Sequence, residues 1–155
     1  MRLTVYTDYA LRVLMYAALR PGRLSTIGEM ANAYGISRNH VMKVVYELGV
    51  AGYVETVRGQ QGGVRLARPA ESIVLGEVVR RTERDTAIVP CMEAVTGYCA
   101  ISPACKLKRA LQQASDAFFA VLDEFTLADL TQNHDVLSEL LQQTPPSSSS
   151  DRIAS

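Results

Sequence analysis

Gly35 stands between two stretches of helical periodicity, and that juxtaposition leaves few folds open to the chain. Before it, Ile27, Met30, Ala31 and Tyr34 mark one face of a short helix over about 26–33, with Ser25 as its N-cap and Gly28-Glu29 at its opening. After it, Ser37 caps a further helix, SRNHVMKVVYELGVAG, running to about Gly49. Gly35 supplies the left-handed conformation a sharp turn needs. Ala31 is small where the two helices cross, and Ile36, Val41 and Val44 fill the angle between them. That is the mechanical requirement of a helix-turn-helix. A preceding helix over about 4–20 has Val5, Leu11, Leu14, Met15, Ala18 and Leu19 on its apolar side and stops at Pro21-Gly22.

The helix after the turn places Ser37, Arg38, Asn39 and His40 at its exposed start, with Lys43 one turn on. Arg and Asn are the side chains that make bidentate contacts to guanine and adenine in the major groove. Next comes YVETVRGQQGGVRLARP, two short alternating strands around a Gly59–Gly63 tip, which is a hairpin. Arg58, Gln60, Gln61 and Arg65 make it a basic wing able to reach phosphates or the minor groove. The charge distribution agrees. The chain is neutral overall, yet residues 1–70 carry nine Lys/Arg against four acids, leaving seven against twelve for the remainder. A basic front half on a neutral chain points to a polyanion partner, here double-stranded DNA.

Three cysteines, Cys91, Cys99 and Cys105, are the only ones, and they fall within fifteen residues of one another. An odd count is poorly explained by disulfides. The spacing is too wide for the C-x-x-C knuckles of most structural zinc sites. Three soft thiolates from one loop suit an iron–sulfur cluster that takes a fourth ligand from elsewhere. A cysteine nucleophile would need a paired base; no histidine lies near these thiols, so the chain reads as a non-enzyme. No apolar run is long enough to span a bilayer. Asp8 and Arg12 interrupt the apolar N-terminal stretch, and no small-residue cleavage site follows it. The expectation is a cytoplasmic protein with reduced thiols.

Val74–Arg81 forms a short helix expected to dock on the winged domain, and Ser102-Pro103 opens a long one. Its apolar positions run Leu107, Ala110, Leu111, Ala114, Ala117, Phe118, Val121, Leu122 and Phe125, a 3–4 spacing over five turns. A small winged domain cannot cover that stripe alone, so a second copy is the natural cover. The alternative, packing on its own domain only, stays open. Two winged heads on such a strut suit a palindromic site with half-sites about one DNA turn apart. Thr126 caps a last short helix, TLADLTQ. The expected architecture is mainly α: a winged helix-turn-helix domain at 1–82, a cluster-binding loop at 83–106, a dimerisation helix with the short C-terminal helix at 103–132, and a Pro/Ser-rich disordered tail at 143–155.

TDYALRVLMYAA, the SRNHVMKVV helix, the RGQQGGVRLARP wing and the C-x-I-x-P-A-C-x-L-K run into the long helix together resemble the NsrR family of nitric-oxide-sensing iron–sulfur repressors. That family is a sister of the IscR-type regulators, and the resemblance covers residues 1 to about 132. It implies a homodimer with one cluster per subunit, [4Fe–4S] or [2Fe–2S], whose damage by nitric oxide releases the operator at nitrosative-stress genes. By the resemblance, Cys91, Cys99 and Cys105 are the cluster thiolates and Asp8 of the partner subunit is the fourth ligand. By itself, Asp8 reads as an acid favoured by a helix dipole. The seven-residue gap between Cys91 and Cys99 is longer than the family pattern. IscR-type proteins place a histidine three residues after the last cysteine, where this chain has Lys108, which leaves Asp8 or an external thiol or water as the fourth ligand. The alternatives are an IscR-like or redox- and iron-sensing regulator, or a zinc- or thiol-based transcription factor of the same fold.

Overall fold

A computed structural model describes residues 2–93 and 97–143. Helix α1 spans Val5–Ala18, α2 Ile27–Tyr34 and α3 Arg38–Val50; strands β1 (Val54–Val57) and β2 (Gly63–Leu66) follow. Then come α4 (Leu75–Thr82), α5 (Lys106–Asp123), α6 (Leu127–Leu130) and α7 (His134–Gln143). Single turns of 3-10 helix lie at Ala70–Ser72, Pro90–Met92 and Ser102–Ala104. The expected mainly α, winged helix-turn-helix architecture is what the chain adopts. Among the described residues no helix is long and apolar enough to cross a membrane.

The helix-turn-helix closes as its residues dictate. Gly35 takes φ 63°, and its N–H and that of Ile36 return to carbonyls of α2. Ala31, Ile36, Val41 and Val44 are buried in the angle. Ser37 caps α3 by accepting the His40 N–H at 3.3 Å. β1 and β2 pair antiparallel from Val54↔Leu66 to Val57↔Gly63.

The N-cap of α2 is Thr26, not Ser25. Thr26 Oγ1 accepts the Glu29 N–H at 3.1 Å, and Glu29 accepts the Thr26 N–H at 2.6 Å, a reciprocal capping box. The acid must lie three residues past the cap, and Glu29 lies three past Thr26. Its carboxyl is held below the usual carboxylate range chiefly by that backbone N–H. Ser25 is instead fully buried and exchanges both backbone hydrogen bonds with Val64 (2.9 and 2.8 Å), rooting the wing on the segment before α2.

The apolar side of α1 also differs from expectation. Thr7, Ala10, Val13, Leu14, Tyr16 and Ala17 are buried, whereas Val5 is half exposed and Leu11, Met15 and Ala18 flank the core. α3, α4, β2 and α6 all pack on this helix, so its covered face is broader than one stripe. Thr7 tolerates burial because its hydroxyl donates to Glu83 Oε1 at 2.5 Å.

The long helix starts at Lys106 rather than at Ser102. Ser102–Ala104 forms a separate turn that ends extended at Cys105, and Cys105 caps α5. α5 docks on α4: Arg80 donates to both carboxylate oxygens of Asp123 at 2.7 Å and lies over the Phe119 ring. Helix α7 has no counterpart in the sequence reading. It packs on α2, and His134 Nε2–H donates to the Leu19 carbonyl at 2.8 Å. Gln143, the first residue of the expected tail, ends α7, and 144–155 lie outside the described residues.

Candidate functional site

The surface expected to read DNA is assembled by α2, α3 and the wing. Ser37, Arg38, Asn39, His40 and Lys43 are all exposed. The buried stripe of α3 is Val41, Val44, Val45 and Leu48, so the opposite face presents Asn39, Lys43 and their neighbours outward. Arg38 lies against Gly28: a Cβ there would come within 3.2 Å of its guanidinium, so the bare glycine makes room for it. His40 leaves this group sideways, its ring 5.9 Å from that of Tyr9 on α1. Arg58, Gln60 and Gln61 are exposed on the wing tip. Arg65 is exposed too but pairs across the hairpin with Glu55, its register partner.

Between α3 and the wing runs an open groove of about 900 Å³, walled by Ile27, Met42, Tyr46, Val50 and Val57 among others. The sequence reading missed its apolar character. Met42, Tyr46 and Val50 recur every fourth residue on the exposed side of α3, a signal that was present but masked by the polar run before it.

The three thiols are free and half-buried. Cys91 sits in the Pro90–Met92 turn, which packs against α5. Cys99 lies in the segment that follows residues 94–96, which are outside the described residues. Cys105 Sγ accepts the Lys108 N–H at 3.3 Å at the start of α5, an end of a helix that favours negative charge. Gly97 accounts for part of the long cysteine gap. A Cβ there would collide with the Glu93 carbonyl and come within 2.9 Å of the Pro90 carbonyl, so Gly97 itself lies against the Cys91 turn. Among the described residues, no three His, Cys, Asp or Glu side chains of this single chain gather closely enough to hold a metal ion. Ser102 Oγ, between Cys99 and Cys105, is buried with no hydrogen-bond partner among those residues.

Asp8 lies on the first turn of α1 and pairs with Arg12 at 3.0 Å, each side chain nearly half exposed. Arg12 also faces the Tyr34 ring of α2, 5.6 Å from its centroid. Burial pushes the Tyr34 phenol up to about 12, so it stays neutral. Asp8 is thus connected to the helix-turn-helix through a single arginine.

The chain matches the Rrf2 family, described as an iron-dependent transcriptional regulator, over residues 3–133. It is 54% identical to the HTH-type transcriptional regulator NsrR of Bacillus subtilis (strain 168), an alignment covering 92% of this chain and 98% of that protein. It is 48% identical to the NsrR of Bacillus licheniformis, over 91% and 99% of the two chains. The crystal structure of Staphylococcus aureus CymR in its oxidised form superposes with a TM-score of 0.69 at 26% identity, covering 85% of this chain and 97% of that one. Matched by the family model over residues 3–133 and folded as a winged helix-turn-helix, this chain belongs to the Rrf2 family of winged-helix, DNA-binding transcriptional regulators, alongside those named NsrR.

Proposed function

We propose that the chain is a homodimeric cytoplasmic repressor that binds a palindromic operator, holds one iron–sulfur cluster per subunit through Cys91, Cys99 and Cys105, and releases DNA on meeting nitric oxide. The observation that carries this reading is the place of the three free thiols. They lie in a loop between a DNA-reading head and α5, whose apolar stripe is exposed at Leu107, Val121 and Phe125 among the described residues.

The donor set fits such a cluster. The thiols are soft, unpaired and half-buried, one is supported by a helix N–H, and Ser102, between two of them in sequence, has a buried hydroxyl with no partner among the described residues. When bound, the cluster supplies iron that nitric oxide attacks. The chain's own residues do the rest. Leu107, Val121 and Phe125 remain 66%, 54% and 42% exposed and give α5 a face for a second copy. That second copy would bring Asp8 to the loop as the fourth ligand. A ligating Asp8 gives up Arg12, and Arg12 then settles differently over Tyr34 of α2. The signal so reaches the helix that braces the recognition helix, a local change biasing a two-state arrangement. Ser37, Arg38, Asn39 and Lys43 read the major groove, while Arg58, Gln60 and Gln61 hold the flanking backbone, joined by Arg65 where it exchanges Glu55 for a phosphate. His40, turned toward Tyr9, takes the position nearest α1 in that set.

Anaerobic purification tests the reading. Brown protein with iron and sulfide in each subunit is expected, together with operator affinity that falls as nitric oxide is added and declines steeply with salt. Colourless protein containing zinc, binding the operator regardless of nitric oxide, would replace the cluster with a zinc- or thiol-based regulator. An unchanged visible spectrum and nitric oxide response in Asp8→Ala would remove the cross-dimer ligand.

A further inference from the structure

The groove between α3 and the wing is where the exposed chemistry of the recognition surface changes from polar to apolar. Asn39 and Lys43 lie on the outward side of α3, and beside them run Met42 and Tyr46, 57% and 68% exposed, with Val50 beyond. These apolar side chains at every fourth position stand outside the buried core formed by the described residues. Val57 of β1 forms the opposite wall, and the basic tip at Arg58 stands at its end. The stripe therefore continues the same face that carries the polar readers, flanked by positive charge suited to phosphates. An apolar side chain in that position has one distinctive partner in the major groove, the 5-methyl group of thymine.

We infer that Met42, with Tyr46 one turn on, is a specificity determinant that selects A·T pairs through thymine methyl contact inside each half-site. The inference rests on the DNA-reading assignment proposed above and adds to it which base group is sensed and by which residue. Arg38 and Asn39 specify through hydrogen bonds, which orient as well as select. Met42 contributes shape and desolvation instead. Its unbranched thioether adapts to a methyl whose height varies with local groove width.

The test uses the full-length protein, prepared anaerobically, and an operator selected by that protein from a random duplex library. Each thymine of the operator is replaced in turn by deoxyuridine, which removes only the methyl group. At one or two positions per half-site the affinity should fall about fourfold, the worth of one buried methyl. Met42→Ala should bind the parent operator more weakly by a similar factor and no longer distinguish thymine from uracil there. Met42→Leu, still apolar, should keep much of the distinction. Because Met42 is exposed, both variants should unfold at the wild-type temperature, which shows that the fold is intact. Indifference of the wild type to every replacement, or discrimination that survives Met42→Ala, would overturn the inference while leaving DNA reading intact. Failure to enrich any sequence from the library would instead overturn the DNA-reading assignment itself, and this inference with it.

Discussion

Leu14 in α1 and Val121 in α5 are both branched aliphatic residues on the apolar stripe of a helix, yet Leu14 is completely buried and Val121 is 54% exposed. The difference separates two regions. In the head, α1, α2, α3 and the wing root cover one another, and the buried cluster extends only to Ile73, Val78 and Leu127 outside them. In the strut, Ser115 is the one residue of α5 that is buried. The stripes look equally strong in the sequence. A stripe therefore states that a helix needs cover; it does not state which molecule supplies it.

Breaking the head should be the most damaging change. Leu14→Ala removes a fully buried side chain at the centre of the core and should cost about 2–5 kcal/mol, read as a lower urea midpoint with the same slope. A loss below about 1 kcal/mol would mean that the head is less tightly packed than its burial indicates.

Breaking the strut should change assembly rather than the fold. Leu107→Asp combined with Val121→Asp places charges on the uncovered stripe and should halve the mass measured by light scattering, while the far-ultraviolet spectrum of the head persists. A wild-type protein that is already monomeric at all concentrations would show that the stripe has no second copy as its cover.

Smaller effects sharpen the contrast from within the head. Thr26→Ala removes the cap of α2 and should cost about 1 kcal/mol. The same capping box has a pH signature. The Glu29 carboxyl is held below its usual range by the Thr26 N–H, so its contribution is fully present above the unfolded value of 4.5 and is lost as pH falls through the lower folded value. Glu29→Gln should therefore destabilise the head at neutral pH and have progressively less effect below about pH 4. An effect of equal size at pH 7 and pH 3 would assign the role of Glu29 to something other than its charge.

Much of the head is legible in the sequence, because the information is local. Gly35 with its positive φ, Ser37 as a cap and Ile36, Val41 and Val44 in the elbow are short-range requirements, and all hold. Errors appeared where a neighbour distant in sequence decides. Ser25 is a competent cap, but Val64, from the wing, recruits its backbone and leaves Thr26 with the role. The start of α5 moved to Lys106 because the Ser102–Ala104 turn ends extended at Cys105. α7 went unread although Val136, Leu137, Leu140 and Leu141 recur at helical spacing, and its place on the head is set by packing on α2 and by the His134 contact to Leu19. At the cysteine loop the three thiols were legible and the course of the described backbone around them was not, because a loop's path is not encoded in periodicity.

The sequence alone determined the helix-turn-helix, the wing, the choice of three soft thiols and the apolar stripe of α5, since each depends on residue type and spacing within one or two turns. Tertiary structure alone decided that α1 is buried on a broad face, that Arg65 is occupied by Glu55 and that Asp8 is linked through Arg12 to Tyr34. It also decided that Met42 and Tyr46 line the groove beside the wing. The physical reason is the same in each case. Burial and pairing depend on which surfaces meet, and surfaces meet only once the chain has folded.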